Sequence, residues 1–171
     1  LSYSKIIPKK FLKRSLFNLV VHESNLPKGK GMSPLTWQIL KDKRYIFFTL
    51  INATSKVDDG KIYFKNKVFF QKNLIFNEIK KIQFNESMKL ILNFIKYYKK
   101  NKTEPKFEMQ NGKSTYFRKR NKNDSQLNIN LSLKKQFNLL RINDNHNYPS
   151  FFYYLKKKYI IKLYKLKNEK R

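Results

Sequence analysis

A chain of 171 residues that is 40% hydrophobic and 16% aromatic is long enough to enclose a core and too apolar to stay disordered. It has no cysteine, which excludes a disulfide framework and a thiolate metal site, and no apolar run approaches the roughly 18 residues of a membrane span. The formal net charge of +28 has two readings: a polyanionic partner, or compositional drift toward Lys, Asn, Ile, Phe and Tyr. Lysines are scattered along nearly every element and greatly outnumber arginines, the residues suited to bidentate phosphate or base contacts. Drift is therefore favoured over a dedicated nucleic-acid surface, although the charge still steers anionic substrates.

Pro8, Lys9, Lys10 and Lys13 break any secretory leader near the start, so a soluble, cytoplasmic protein is expected. The first residue is Leu1 rather than Met, and the chain reads as an incomplete sequence that begins mid-fold. Residues 1–15 read as a short helix or turn after Pro8, with Ile6, Ile7, Phe11 and Leu12 on its buried side. Residues 16–21 are an almost unbroken apolar run of the kind a buried parallel strand shows. At its carboxyl end come His22, Glu23, Ser24 and a loop through Gly31, and open α/β sheets place ligands at such strand ends.

Ser33 is the expected N-cap, and Pro34 the first residue, of a helix ending near Lys41. Residues 45–53 (YIFFTLINA) read as a second strand. A polar turn, 54–61, holds Val57-Asp58-Asp59-Gly60; Ile62-Tyr63-Phe64 restart a strand, and residues 66–70 suggest another. Over 73–99, Phe76, Ile79, Ile82, Met88, Ile91, Leu92, Ile95 and Tyr98 recur at helical spacing. Residues 101–114 resemble a linker and 116–124 form a basic stretch. Ser132 caps a helix through about Arg141 with Leu133, Phe137 and Leu140 on one stripe. Residues 151–154 and 159–164 suggest a hairpin around a lysine turn, and the last six residues a frayed end.

Few side chains offer chemistry. His22 and Asp58 are each ordinary alone, one a histidine at a strand end and the other a turn aspartate. If the strands ending near Val21 and Ala53 share a sheet, the two converge at one edge, where a carboxylate fixes the imidazole tautomer. His146, in a polar loop, is expected at the surface. Lys28-Gly29-Lys30-Gly31 matches neither the phosphate loop of nucleotide hydrolases nor the dinucleotide glycine pattern. Its glycines more simply allow a tight turn and a close approach to a ligand. Two separated histidines without cysteine make a metal site improbable.

Together these residues carry a resemblance. His22-Glu23-Ser24-Asn25-Leu26-Pro27, Gly31 with Pro34, and Val57-Asp58-Asp59-Gly60 resemble the formyltransferase family, which includes methionyl-tRNA formyltransferase and the amino-sugar N-formyltransferases. That family has a histidine followed by x-Ser-x-Leu-Pro, a Gly-x-x-Pro at the next helix start, and an aspartate two residues before a glycine. Arg120 with Asp124-Ser125, the run Phe137 to Arg141, and Tyr148-Pro149-Ser150-Phe151 are similar to its later segments, so the likeness covers most of the chain.

The resemblance implies an α/β fold: residues 1–100 as part of a Rossmann-like core with a parallel sheet and covering helices, 101–130 as linker and basic segment, and 131–171 as a small helix and β-hairpin region. It implies transfer of a formyl group from N10-formyltetrahydrofolate to a primary amine, without a metal. His22 and Asp58 would act on the reacting atoms, and Asn18 or Ser24 would contact the oxyanion or substrate. Leu26, Pro27, Gly29, Gly31, Pro34 and Gly60 would shape the loop and donor site. Val20 stands where the family usually has an oxyanion-binding asparagine. The amine of a nucleotide-linked amino sugar is the first expectation, because little chain remains for the C-terminal barrel of the tRNA-acting enzymes. Methionyl-tRNA is the second. A non-catalytic basic RNA-binding protein, or an inactive enzyme fragment, is the third. No membrane partner is expected, and the oligomeric state is open.

Overall fold

The structure, a computed structural model, describes residues 7–166; the expectations for Ile6 and for 167–171 lie outside them. In chain order, the elements are α1 (Lys9–Leu12), β1 (Leu19–His22), β2 (Lys30–Gly31), α2 (Pro34–Leu40), β3 (Tyr45–Asn52), β4 (Ile62–Phe69), α3 (Phe76–Asn101), β5 (Tyr116–Phe117), a 3-10 turn (Lys122–Ser125), α4 (Leu133–Ile142), β6 (Ser150–Tyr154) and β7 (Lys157–Ile161). No helix among the described residues is long and apolar enough to cross a membrane.

Helices cover the sheet as an α/β fold requires, but the direction of strand pairing is divided. The three-stranded sheet has the order β1-β3-β4, and both its pairings are antiparallel; the parallel pair is β2 with β5. The apolar run before His22 is thus half-buried from Phe17 to Val21 and pairs antiparallel, not parallel, with β3. An apolar strand does not report its neighbour's direction. Between the two strands the chain runs through β2 and the seven-residue α2 and comes back to the sheet near the end where β1 leaves it, so that His22 pairs with Thr49. As the central strand, β3 is buried on both sides, with Ile46, Phe48, Leu50, Thr49 and Ile51 all enclosed.

The two expected short strands after the acidic turn are one strand, β4, with an irregularity in its register opposite Leu50 and Ile51. Tyr63 lies at that irregularity, and its hydroxyl donates to Glu104 at 3.0 Å. Burial, then the Glu104 carboxylate, push its phenol well above the ordinary value. Ser33 does precede α2, but in the left-handed region (φ 53°) and without a side-chain cap bond. Ser132 does cap α4, accepting from the Lys135 N–H.

On one side of the sheet the core joins Leu35 and Ile39 of α2, Ile46, Phe48 and Leu50 of β3, Ile79, Leu90 and Phe94 of α3, and Ile142 of α4. The stripe of α3 keeps Ile79, Ile82, Ile91 and Tyr98 of the expected one against the core and departs from it at two places. Leu90 and Phe94 are buried, whereas Leu92 and Ile95 are exposed. Apolar residues occupy several faces of this helix, so periodicity alone does not select the one that meets the sheet. Phe11 is likewise exposed, flanked by Lys10 and Arg14, and Leu133 is exposed on α4. On the other side of the sheet a smaller cluster packs Leu26 against Ile51, Ile62 and Val20.

Residues 101–114 do not behave as a free linker. Glu108 exchanges backbone hydrogen bonds with Ile62, and Pro105 is buried. Beyond α4, β6 and β7 form the expected hairpin, turned by Leu155 and Lys156, both with positive φ. That geometry matches the twist of the strands even without glycine. Arg141, only 1% exposed, ties α4 to the chain before α3 by donating to the carbonyls of Gln71 and Leu74.

The phasing of α3 is checked by two alanine variants. Leu90→Ala is expected to lower unfolding free energy by about 2–5 kcal/mol, and Leu92→Ala by less than about 1 kcal/mol, as for a surface position. Urea denaturation followed by circular dichroism measures both; the reverse order would overturn the observed burial.

Candidate functional site

His22 is the last residue of β1, opposite Thr49 on β3. It is 5% exposed, and both ring nitrogens have partners: Nε2 lies 2.8 Å from the Gly29 carbonyl oxygen, and Nδ1 lies 3.4 Å from Asp58 Oδ1. Gly29 O and the carboxylate are both acceptors, so the doubly protonated ring satisfies both and a neutral ring only one. The two residues expected to converge do so, although 35 positions separate them (58 minus 22 less one).

Asp58 is fixed from three directions. Its Oδ2 accepts from the Gly31 N–H at 2.8 Å, its Oδ1 faces His22, and its carbonyl accepts from Gln110 Nε2 at 2.8 Å. Its φ of 47° is left-handed, a conformation that aspartate adopts more readily than most residues. The adjoining Gly60 has no room for a side chain, since a Cβ there would stand 1.8 Å from the Asn52 carbonyl oxygen. Gly31 is equally constrained, with φ 95° and a Cβ position 2.3 Å from the Phe117 carbonyl oxygen. The loop is thus pressed between the acidic turn and β5.

The other expected residues divide between scaffold and site. Leu26 is buried in the smaller apolar cluster, and its bond to Pro27 is cis. Gly29 sits against the Phe117 ring and Ser24 and donates its N–H to Thr115 Oγ1. Pro34 opens α2, buried, and borders a cleft beside His22. Asn18 does not border the cleft: its amide donates to the Leu12 carbonyl, and its backbone N–H to Asn52 Oδ1, so it anchors α1 and β3 to the start of β1. Ser24 is 2% exposed and packed beneath Gly29, which makes it support for the loop rather than a substrate contact. Its Oγ is buried without a partner. His146 is exposed, as expected.

The cleft has a volume of about 1000 Å³ and is bordered by His22, Asp58 and Gly31. Val20, Val21, Leu35 and Ile79 form apolar walls, and Lys56, Lys80, Lys119 and Arg120 also border it. These are the walls that this chain contributes, along the edge where β1 has no further strand among the described residues.

Sequence reasoning missed the way the basic segment closes this site. Tyr116–Phe117 pairs with Lys30–Gly31, and Arg118 grips Asp124 through both guanidinium nitrogens while lying over the Trp37 ring. This clamp holds Arg120 between the Asp124 carbonyl and Asn143 Oδ1, half-buried, with its Nε unpartnered. Burial pushes the Arg120 guanidinium below its ordinary value. The Arg118 hydrogen bonds hold the Asp124 carboxyl at about 2. Neither a two-residue strand nor an arginine–aspartate pair six residues apart leaves a periodic signal.

Residues 1–92 match the family model described as Formyl transferase. Methionyl-tRNA formyltransferase of Orientia tsutsugamushi is 28% identical over 128 residues, covering 74% of this chain and 41% of that protein. The chain therefore spans less than half the length of that curated relative. Among solved structures, methionyl-tRNA formyltransferase from Clostridium thermocellum superposes with a TM-score of 0.75 at 25% identity, over 99% of this chain and 71% of the other. A sugar N-formyltransferase from Shewanella sp. shares the fold at a TM-score of 0.68 and 18% identity, over 96% and 68% of the two chains.

The clamp beside the cleft has a pH signature. A carboxylate whose folded-state value lies below its ordinary 3.8 stabilises the fold above that value and loses the contribution as pH falls toward about 2. The urea midpoint of the wild type should therefore fall more steeply across that acid range than that of Asp124→Asn. Parallel profiles would remove the clamp's contribution.

Proposed function

From the premise that the chain belongs to the formyl transferase family, we propose that it moves a formyl group onto a primary amine, with His22 and Asp58 as the reacting pair. The observation that carries this reading is the approach of His22 Nδ1 to Asp58 Oδ1, 3.4 Å apart at the border of the cleft. Catalytic hydrogen bonds are often looser before substrate binds.

In this reading N10-formyltetrahydrofolate supplies the activated formyl group. The apolar walls of Val21, Leu35 and Ile79 suit its ring system, and the Lys80 and Arg120 cations suit its carboxylates. The volume is at the upper end for small-molecule sites, about 300–1000 Å³. As the amine nitrogen attacks, a carbon–nitrogen bond forms, the carbonyl oxygen gains negative charge and the nitrogen becomes positive. Asp58 takes the proton the nitrogen must lose, while protonated His22 faces the oxygen, whose charge competes with the Gly29 carbonyl for the Nε2 proton. Collapse breaks the bond from the formyl carbon to the donor nitrogen, which gains a proton. Val20 has no hydrogen-bonding side chain, so the oxyanion is left to His22 within this motif.

Methionyl-tRNA, the substrate named for the relatives at 28% and 25% identity, is one reading of the acceptor, and the charge of +28 suits a polyanion. An amino-sugar nucleotide, the first expectation, is the other reading, supported by likeness to a sugar N-formyltransferase.

Both acceptors can be offered to the protein with N10-formyltetrahydrofolate, and the formylated product identified by mass spectrometry. His22→Ala and Asp58→Asn are each expected to slow transfer by about 100-fold or more while the circular dichroism spectrum is retained. Wild-type rates in either variant would overturn the assignment. Salt-sensitive RNA binding without transfer to either amine would favour the non-catalytic reading.

A further inference from the structure

We propose that the ion pair between buried Lys30 and partly exposed Asp59 is a positioning element that sets the Asp58 carboxylate against His22; this rests on the reading of those two residues as the reacting pair. In a chain rich in exposed lysines, Lys30 is the only lysine in the buried class among the described residues. Its side chain is 4% exposed, and its Nζ lies 2.6 Å from Asp59 Oδ1. Burying an ammonium is costly and a surface lysine would be neutral, so fold stability alone does not account for this placement.

The neighbours of Lys30 show what the pair holds. Gly29 accepts from His22 Nε2, Lys30 binds Asp59, and Gly31 donates to Asp58 Oδ2. Three consecutive residues of the loop therefore grip the imidazole and both carboxylates. The Lys30 backbone is itself held by the Thr115 carbonyl, which makes the loop the fixed side of this contact. Asp58 and Asp59 are adjacent anions. With Asp59 matched by Lys30, the Asp58 carboxylate is the one that faces His22; without Lys30, two carboxylates compete for the Gly31 N–H and the imidazole.

Two readouts separate positioning from general stability. The chain has two histidines, His22 and His146, so ring 15N resonances of histidine-labelled protein report the site beside an internal reference. Lys30→Met is expected to move the His22 ring resonances and leave those of His146 in place. Lys30→Arg, which keeps the cation, should restore them, and Asp59→Asn, which leaves the buried Lys30 cation unmatched and free to draw the Asp58 carboxylate from the ring, should displace them as well. In the transfer assay Lys30→Met should lower kcat by about 10- to 100-fold with KM nearly unchanged, a split that lost substrate binding does not give. Unmoved His22 resonances in folded Lys30→Met would overturn the proposal. If that variant does not fold, unmoved resonances in Asp59→Asn would do so. A wild type that transfers no formyl group would sink the functional reading, whereas the ring resonances would still decide the role of Lys30.

Discussion

Two backbone oxygens stand where a side chain would need to be: Asn52 O beside Gly60 and Phe117 O beside Gly31. This closeness is the constraint on which the site depends. With glycine at both places, the acidic turn lies on the end of β3 and the loop lies on β5, close enough for the Gly31 N–H to reach Asp58 at 2.8 Å. Either glycine replaced by a larger residue would force backbone apart, because the obstructing atoms belong to the main chain and cannot rotate away. The carboxylate then reaches the imidazole because both ends of its turn are pinned, not because the pair attracts strongly.

The rest of the fold supplies those pinned surfaces. β3 is central and buried on both faces, so the strand ends beside it, at His22 and Asn52, have little freedom. α2, α3 and α4 press on one face of the sheet, and the Arg141 guanidinium, satisfied by two carbonyls and Asn138, locks α4 to the chain before α3. The segment after α3 returns across the site, adding Gln110 to the carbonyls of Asp58 and Gly60. A region with the composition of a linker thus acts as a brace.

Charge plays two different parts in this protein. Most lysines are exposed and ornament nearly every element, in keeping with drift in composition. A few cations are held in specific places: Lys30, buried, on Asp59, Arg120, half-buried, at the cleft, and Arg118, exposed, on Asp124. Exposed pairs such as Lys72–Asp42 contribute little, since solvent and salt screen them. The cations held in place define directions in space, which is what orientation of a reacting group requires. Net charge therefore bears on the approach of an anionic partner, and the placement of three or four cations bears on the chemistry.

The residues alone made the His22–Asp58 pairing legible, because a strand-end histidine, a proline- and glycine-rich loop and an aspartate near a glycine leave local signals at fixed spacings. They also located β3, α2, α3, α4 and the hairpin within a few residues, since those elements follow apolar periods and caps. Tertiary structure decided the rest. Asn18 and Ser24 looked chemically able, yet Leu12, Asn52 and Gly29 claim or cover them. Leu90 rather than Leu92 meets the sheet because the sheet's position, not the helix period, chooses the face. Strand direction, the burial of Lys30 and the bond from Gly29 to Thr115, 86 residues away, depend on where the chain returns. Local sequence encodes backbone preference and amphipathicity, while which groups meet across such distances is settled only when the whole chain packs.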